Sequence, residues 1–293
     1  MKERPWISDK RFGEERALYH SVGLGIRRCR FEGEEDGESA LKESRDLLVE
    51  SCYFDLRYPF WHTDGVVLSD CELTERCRAA FWYDRNTTVK SSRLNGVKAF
   101  RECRGVSLVS SEIASTEFGW RSRDVYVKDC LLSGEYAFFE ARNLDISGLD
   151  FKGKYSFQYV KNLVIRDSRL ATKDAFWHAE NVTVVNSEIS GEYLGWYSRN
   201  LTLIGCHISG TQPLCYCRGL RLIDCTTDGC DLSFEYSTVR ATVKGKIESV
   251  KNPRRGRILA DEVGEVVFED AVRDCRAKVF VGGKRVSCKE SVR

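Results

Sequence analysis

Residues 138–156 read FFEARNLDISGLDFKGKYS, residues 157–175 read FQYVKNLVIRDSRLATKDA, and residues 176–194 read FWHAENVTVVNSEISGEYL. Aligned without a gap, the three segments all begin with Phe, have Asn at the sixth position, and place apolar residues at the seventh and ninth. Apolar side chains on every second residue are typical of a β-strand with one buried face. The fixed period of 19 residues indicates a repeat in which each unit buries its apolar face against the next unit.

The same unit recurs along most of the chain. Its start, an aromatic residue, leucine or glycine, returns every 19 residues between positions 81 and 214, and at intervals of 19 to 23 residues elsewhere. The starts are Leu18, Leu41, Phe60, Phe81, Phe100, Gly119, Phe138, Phe157, Phe176, Gly195, Leu214 and Phe234. Such a short unit without helical periodicity predicts an all-β fold: a single-stranded right-handed parallel β-helix, or solenoid, of about twelve coils.

Each position counted from the start has its own chemistry. The residues six, eight and thirteen positions on are mostly apolar and are predicted to form buried rows; in the last unit the first two of these rows contain Arg240 and Thr242. Eleven positions on lies a row rich in Cys and Ser, which are small enough for a cramped interior. Five positions on lie Gly, Asn or Asp, which tolerate left-handed backbone and predict a tight turn in every coil.

The repeat predicts one β-helix domain over residues 1–293. Residues 1–16 are predicted to cap one end, residues 17–247 to form the coils, and residues 248–293 to form a C-terminal coil and cap segment with Gly282-Gly283 as a hairpin turn.

The chain carries 46 basic and 44 acidic residues. A protein so nearly neutral has no bulk attraction for polyanions, so any charged partner must be met by a local patch. We therefore predict no nucleic-acid partner. The sequence also lacks a signal-like apolar run and any stretch of membrane-spanning length, which predicts a cytoplasmic protein without a membrane partner.

No motif for a cofactor or a metal ion is present. Gly23-Leu24-Gly25 lacks the third glycine of a dinucleotide loop, and Gly282-Gly283-Lys284 has the wrong spacing for a phosphate-binding loop. Cys215, Cys217, Cys225 and Cys230 do not have the spacing of a zinc site and are predicted to be structural thiols.

Several phrases resemble a known family. They include Phe12-Gly13-Glu14-Glu15-Arg16-Ala17-Leu18, Tyr58-Pro59-Phe60-Trp61, Asp174-Ala175-Phe176-Trp177, Gly191-Glu192-Tyr193-Leu194-Gly195-Trp196 and Ser249-Val250-Lys251-Asn252-Pro253. They resemble a bacterial family of pectin-lyase-like β-helix proteins, domain of unknown function 3737, over roughly residues 12–253. The resemblance implies the fold and carries no activity.

Two neighbouring positions are rich in aromatic residues. One residue past the start lie Trp61, Trp82, Trp120, Trp177 and Trp196. The next position alternates aromatic, histidine and acidic residues and includes His178. Aromatic faces beside hydrogen-bonding groups suit a sugar ring, so these residues are candidate substrate contacts. The alternative is that the tryptophans only stack between coils and stabilise the solenoid.

A basic row lies four positions past the start, and it is unbroken from residue 85 to residue 161. Its candidate binding residues are Arg85, Arg104, Arg123 and Arg142. Stacked like charges repel, so either nearby carboxylates or an anionic ligand should offset the repulsion. The alternative is that these arginines are simply solvated.

Four residues are weak catalytic candidates. Glu102 and Glu140 are two coils apart, and Glu43 lies between His20 and His62 on adjacent coils, as an acid–base cluster would. The polygalacturonase motifs are missing, so whether the protein is an enzyme stays open. The favoured hypothesis is a protein that binds, or processes, a carbohydrate that is acidic. The alternative is a non-enzymatic scaffold that docks a protein partner or forms a homo-oligomer.

Overall fold

The computed structural model describes residues 3–34, 37–268 and 274–286. In these residues the secondary structure consists of strands and turns, without helices. The chain divides into two compact units, unit 1 (residues 1–150) and unit 2 (residues 151–293).

The strands of unit 1 are short and occur at regular intervals. They are β1 (Trp6–Ser8), β2 (Arg11–Phe12), β3 (Gly25–Arg27), β4 (Arg30–Phe31), β5 (Arg45–Glu50), β6 (Tyr53–Phe54), β7 (Phe60–Trp61), β8 (Asp64–Ser69), β9 (Glu72–Leu73), β10 (Phe81–Trp82), β11 (Arg85–Lys90), β12 (Arg93–Asn95), β13 (Phe100–Arg101), β14 (Arg104–Val109), β15 (Glu112–Ala114), β16 (Arg123–Lys128), β17 (Leu131–Glu135) and β18 (Arg142–Ser147).

The strands of unit 2 become longer toward its C-terminal end, and the first of them begins at the last residue of unit 1. They are β19 (Asp150–Lys154), β20 (Lys161–Arg166), β21 (Arg169–Lys173), β22 (Glu180–Val185), β23 (Glu188–Ser190), β24 (Arg199–Ile204), β25 (His207–Ser209), β26 (Leu220–Asp228), β27 (Thr238–Lys251), β28 (Arg255–Val267), β29 (Lys278–Val281) and β30 (Lys284–Val286).

Within each unit, a strand pairs in parallel with its counterpart one coil away. In unit 1, β11, β14, β16 and β18 pair with Val89, Leu108, Val127 and Ile146 in one file. In unit 2, β22, β24 and β26 place Val184, Leu203 and Leu222 in the equivalent file. The predicted fold class, a right-handed parallel β-helix, is confirmed.

The described residues make about 14 turns, against the twelve predicted. Strands also form in both segments that were predicted as caps. Near the N-terminus, β1 and β2 pair in parallel with β3 and β4. Near the C-terminus, β28 and β29 continue the parallel pairing that begins with β27. The predicted hairpin turn at Gly282-Gly283 is confirmed, since it joins β29 to the antiparallel β30 with positive φ at both glycines.

The interior is a set of stacked rows. Phe60, Phe81 and Phe100 stack face to face with centroid separations of 4.8 and 4.3 Å, and all three are buried. Full burial of each such ring contributes roughly 1.5–3 kcal/mol. The Cys and Ser row is also buried, and the described cysteines are free thiols. The predicted interior is therefore confirmed row by row, with one exception.

The exception is the strand of the last unit. The prediction that Arg240 and Thr242 join the buried rows is wrong: Arg240 is exposed and Thr242 half-buried, while Val239 and Ala241 are buried in their place. Val239 pairs with Leu220, so this unit reaches its strand one residue sooner than the others. A shift of one residue moves every side chain of a strand to the opposite face.

The predicted turn five positions past the start is confirmed. Every residue of this row has positive φ, from 53° at Asp46 to 72° at Gly65. The asparagines also form ladders: Nδ2 of Asn200 donates to Oδ1 of Asn181 at 3.0 Å, and Nδ2 of Asn181 donates to Oδ1 of Asn162 at 3.2 Å. Side chains at this turn thus bond the coils together on the outside.

Unit 1 contains one buried acid. Asp84 lies in an interior position where Ser or Thr side chains accept hydrogen bonds from the backbone of the preceding coil, and its Oδ1 accepts one from the Thr63 N–H at 2.8 Å. Its other oxygen, Oδ2, is buried without a partner among the described residues. Burial raises the pKa of the Asp84 carboxyl well above its usual value of 3.8, so the folded protein favours the neutral acid.

We expect Asp84→Asn to stabilise the protein at pH 8 and to have little effect near pH 4. Because the folded pKa is raised, the folded state holds its proton longer than the unfolded state. Stability therefore falls as pH rises from about 4 toward the folded pKa, by about 1.4 kcal/mol per pH unit. Asn keeps the acceptor for Thr63 and removes this loss.

Urea unfolding at several pH values measures the effect, with the exposed Asp70→Asn as the matched control. A wild-type stability that rises between pH 5 and pH 8 in parallel with that of Asp84→Asn would contradict the assignment.

Candidate functional site

The site in unit 2 is built on a column of stacked rings, the Tyr–His stack. Its members lie two positions past the start of successive coils: Tyr159, His178, Tyr197, Tyr216 and Tyr236. The first four rings are 4.8 to 5.0 Å apart and within 12° of parallel, and the last is 5.9 Å away and tilted by 42°. Parallel pairing one coil apart imposes this spacing on any residue that recurs in register.

All five stack residues have positive φ, between 52° and 60°. They therefore sit at a corner of the coil, where the side chain leaves the solenoid. Because neighbouring rings cover each other, the stack presents ring edges to solvent rather than faces. The rims of Tyr159 and Tyr197 are 45% and 43% exposed, which leaves hydroxyl groups and ring edges for a ligand.

A cavity of about 230 Å³ lies beside the stack. Its lining is His178, Tyr197, Arg199, Tyr216, Cys217, Arg218, Tyr236 and Arg254. The three arginines have no ion-pair or hydrogen-bond partner for their guanidinium groups among the residues that the structure describes. Three cations that converge without a counter-charge repel one another and would be relieved by an anion.

The titrating groups of the cavity respond to these charges. Burial, and then the positive charge of Arg199, lowers the pKa of His178 below its usual 6.5, so its imidazole is neutral at pH 7. Burial and the nearby Glu235 raise the pKa of Tyr216 to about 12. Oε2 of Glu235 accepts a hydrogen bond from the Tyr216 hydroxyl at 3.2 Å, and its Oε1 lies 3.1 Å from Nζ of Lys251. The cavity thus offers neutral hydrogen-bonding groups and uncompensated positive charge.

Two of the predicted tryptophans lie in unit 2, next to the stack. Trp177 and Trp196 are half-buried and stacked 5.5 Å apart at 5°. Their indole N–H groups donate to the carbonyls of Tyr193 and Gln212 at 2.9 and 2.8 Å. Each indole is thus anchored to the backbone 16 residues on, and its edge borders the rings of the stack.

The other three tryptophans lie in unit 1 and are also half-buried. Trp61 and Trp82 stack 5.7 Å apart, and Nζ of Lys42 lies 4.5 Å from the centroid of Trp61. The guanidinium of Arg101 lies 5.4 Å from Trp82 and 5.2 Å from Trp120, as a cation–π sandwich. The interleaved Lys and Arg therefore cover the indole faces, an arrangement that favours stacking between coils.

The predicted basic row of unit 1 is in register. Arg85, Arg104, Arg123 and Arg142 face one another on paired strands. Nε of Arg104 lies 3.2 Å from Oδ2 of Asp124, whereas the other three guanidinium groups have no ion-pair partner in the described part of the chain. The row is mostly uncompensated, as an anion-binding surface would be.

The catalytic candidates of unit 1 are engaged by neighbours. The Tyr19 hydroxyl donates to Oε2 of Glu43 at 2.7 Å and lowers the pKa of that carboxyl, with smaller contributions from Lys42, His62 and His20. A lowered pKa keeps Glu43 ionised, which is unsuited to a general acid.

The two remaining acids are close to arginines. Glu140 pairs with Arg121 at 2.8 Å, and Glu102 lies 3.5 Å from Nε of Arg101. In the described ranges, no group of three or more His, Cys, Asp or Glu is arranged to hold a metal ion. No helix there is long and apolar enough to cross a membrane.

Sequence reasoning placed His178 at the site but did not select Tyr197, Tyr216 or Tyr236, although all recur in the same position of the repeat. Arg254 lies beyond the last complete unit, so the period could not place it. The pairing of β27 with β28 brings it beside the coil before.

A family model described as Protein of unknown function (DUF3737) matches residues 5–280. No curated protein matches the chain. Among solved structures, the chain is similar to the tailspike protein of E. coli bacteriophage HK620 in complex with pentasaccharide, at 10% identity and a TM-score of 0.41, over 88% of this chain and 62% of that one. It thus spans less than two thirds of that tailspike chain.

Two further solved structures are similar. The catalytic unit of a thermostable GH87 alpha-1,3-glucanase from Streptomyces thermodiastaticus strain HF3-3 matches at 11% identity and a TM-score of 0.38, over 97% of this chain and 64% of that one. PfbA, a surface adhesin of Streptococcus pneumoniae, matches at 7% identity and a TM-score of 0.34, over 95% and 82%. None of these likenesses is close enough to transfer an activity.

We expect Arg199→Ala to raise the pKa of His178 toward 6.5 without restoring it fully, because burial is the larger cause of the shift. With four histidines in the chain, their imidazole NMR signals can be followed individually against pH. Arg240→Ala, which removes a cation elsewhere in unit 2, should leave His178 unchanged. A His178 titration identical in the wild type and Arg199→Ala would refute the proposed electrostatics of the cavity.

Proposed function

We propose that this chain, which belongs to the family described as Protein of unknown function (DUF3737), binds an acidic carbohydrate at the cavity beside the Tyr–His stack. The observation that carries the proposal is the convergence of Arg199, Arg218 and Arg254, without a counter-charge, on a cavity walled by tyrosine and histidine rings.

The size of the cavity supports a ligand of small cross-section. Sites that enclose a whole drug-sized ligand have volumes of about 300–1,000 Å³, and this cavity, at about 230 Å³, lies below that range. It can therefore take one ring-sized group, while the remainder of a longer ligand lies along the surface.

The lining supports a ligand with both hydroxyl groups and negative charge. Tyrosine hydroxyls and the neutral His178 ring can each donate and accept hydrogen bonds, as sugar hydroxyls do. Guanidinium groups bind carboxylates through two parallel hydrogen bonds. A uronide carries both kinds of group on one ring, whereas a neutral glycan would leave the arginines unpaired.

The arrangement supports binding rather than hydrolysis. A glycosidase of the common type needs two carboxyl groups on either side of the scissile bond. The carboxyl group that contacts the cavity residues in the described structure is that of Glu235, which is held by Tyr216 and Lys251. The unit 1 tryptophans and the row from Arg85 to Arg142 stay predicted ligand contacts.

We expect wild-type protein to bind an oligogalacturonide in isothermal titration calorimetry and to bind a neutral gluco-oligosaccharide of the same length more weakly. Arg199→Ala combined with Arg218→Ala should weaken uronide binding by about ten-fold or more, because truncating charge-paired groups costs roughly 2–5 kcal/mol.

Lys90→Ala combined with Lys128→Ala removes two exposed cations from unit 1 and serves as the matched control, which should bind as the wild type does. Circular dichroism verifies that each variant is folded. Absence of uronide binding by the folded wild type, or equal binding by the cavity variant, would exclude this function.

A further inference from the structure

A second groove lies on the outer face of the sheet formed by β26, β27, β28 and β29 of unit 2. One wall is a row of cations: Arg221, Arg240, Arg257 and Lys278. The other wall consists of Ile223, Thr242 and Leu259, and the floor is the backbone between the two rows. Its volume is about 550 Å³, more than twice that of the cavity beside the Tyr–His stack.

The cationic wall follows from strand register. Arg221 pairs with Arg240, Arg240 with Arg257, and Arg257 with Lys278, so four successive strands each contribute one cation in line. All four side chains are exposed, and none has a carboxylate partner among the described residues. The guanidinium of Arg257 lies 4.4 Å from the ring centroid of Phe280. Uncompensated cations at strand spacing, roughly 4.8 Å, favour a ligand with several negative charges in a line.

The opposite wall is aliphatic. Thr242 pairs with Leu259, and Leu259 pairs with Phe280, so this row is also in register. Its members are half-buried. A ligand that fits both walls therefore has a charged edge and an apolar edge along its whole length.

The chemistry of the apolar wall distinguishes between linear anions. A nucleic-acid strand gains its affinity from bases stacked on aromatic rings, and the ring of Phe280 is already covered by Arg257. An acidic glycan presents hydroxyl groups on both edges, which the side chains of Ile223 and Leu259 cannot hydrogen-bond. An extended peptide, in contrast, places alternate side chains on opposite edges.

We propose that this groove docks an extended segment of a partner protein in which acidic and aliphatic residues alternate. The site is separate in its residues from the cavity beside the Tyr–His stack. It gives structural content to the scaffold function that the sequence offered as the alternative.

The dimensions agree with this occupant. Four cations at strand spacing span about 14 Å, and three acidic residues at alternate positions of an extended strand also span about 14 Å. A five-residue core of the form Glu-Val-Glu-Val-Glu would place its first and last carboxylates at the two ends of the cationic wall. Its two valines would lie against Ile223 and Leu259.

The test uses fluorescein-labelled peptides and fluorescence anisotropy with the full chain. The probe has the core Glu-Val-Glu-Val-Glu between Gly-Ser flanks, and the comparison peptide has the same composition in the order Glu-Glu-Glu-Val-Val. We expect the alternating peptide to bind about ten-fold tighter, since only it can place its charges and its aliphatic groups on opposite walls.

Charge reversal locates the binding. Arg240→Glu combined with Arg257→Glu should weaken the alternating peptide by about ten-fold or more, whereas Lys90→Glu combined with Lys128→Glu, the same charge change in unit 1, should not. Arg240→Gln with Arg257→Gln repeats the test without new negative charge, in case the reversal impairs folding. The cavity variant with Arg199→Ala and Arg218→Ala should keep peptide binding, so the two proposals can fail separately.

Three outcomes would overturn the proposal: no peptide binding by the folded wild type, equal affinity for the two peptide orders, or binding that survives both groove variants. Tighter binding of an octathymidylate or an oligogalacturonide, lost in the groove variants, would assign the groove to nucleic acid or to glycan instead.

Discussion

Parallel strand pairing in register is the constraint on which the whole structure depends. It places every residue roughly 4.8 Å from its counterpart one coil away, so each position of the 19-residue unit becomes a file of side chains. A side chain is therefore selected largely by whether it can stack on its own kind. Phenylalanine, cysteine, serine and asparagine all do so here, through ring stacking, small volume or amide ladders. The interior and the turn corners are both consequences of that one rule.

Charged residues obey the same constraint at a cost, and both proposed sites lie where that cost has not been offset within the chain. In unit 1 the tryptophan file alternates with Lys42 and Arg101, so each cation is stabilised by an indole face. In unit 2 the arginines beside the Tyr–His stack and those of the outer groove lack such partners among the described residues. Stacked cations without counter-charge are a property of binding surfaces rather than of a structure that only needs to be stable.

The repeat predicted most of the fold because its signal is carried by many coils at once. The register, the buried rows and the left-handed turn all follow from a single period. Failures occurred where the period changes. Arg240 and Thr242 were assigned to the interior because the coil after Leu214 reaches its strand one residue early, and a twelve-fold pattern cannot reveal a local exception. Arg254 and Lys278 lie beyond the last complete unit, so only the pairing of β27, β28 and β29 shows what they adjoin. The covering of the tryptophan faces depends on side-chain direction, which periodicity does not encode.

The register also determines which changes of length the chain can accept. Removing or adding 19 residues at the same point of two coils would join a strand end to its equivalent and leave every file intact, one member shorter or longer. A change of one residue within a strand would instead turn the downstream apolar side chains outward, unless a corner absorbed it. The early strand after Phe234 shows that a corner can do so, and the four exposed cations of the outer groove begin at the coil just before that adjustment. Variation in coil number is thus a route by which relatives of this chain could lengthen or shorten a binding surface without redesigning the interior.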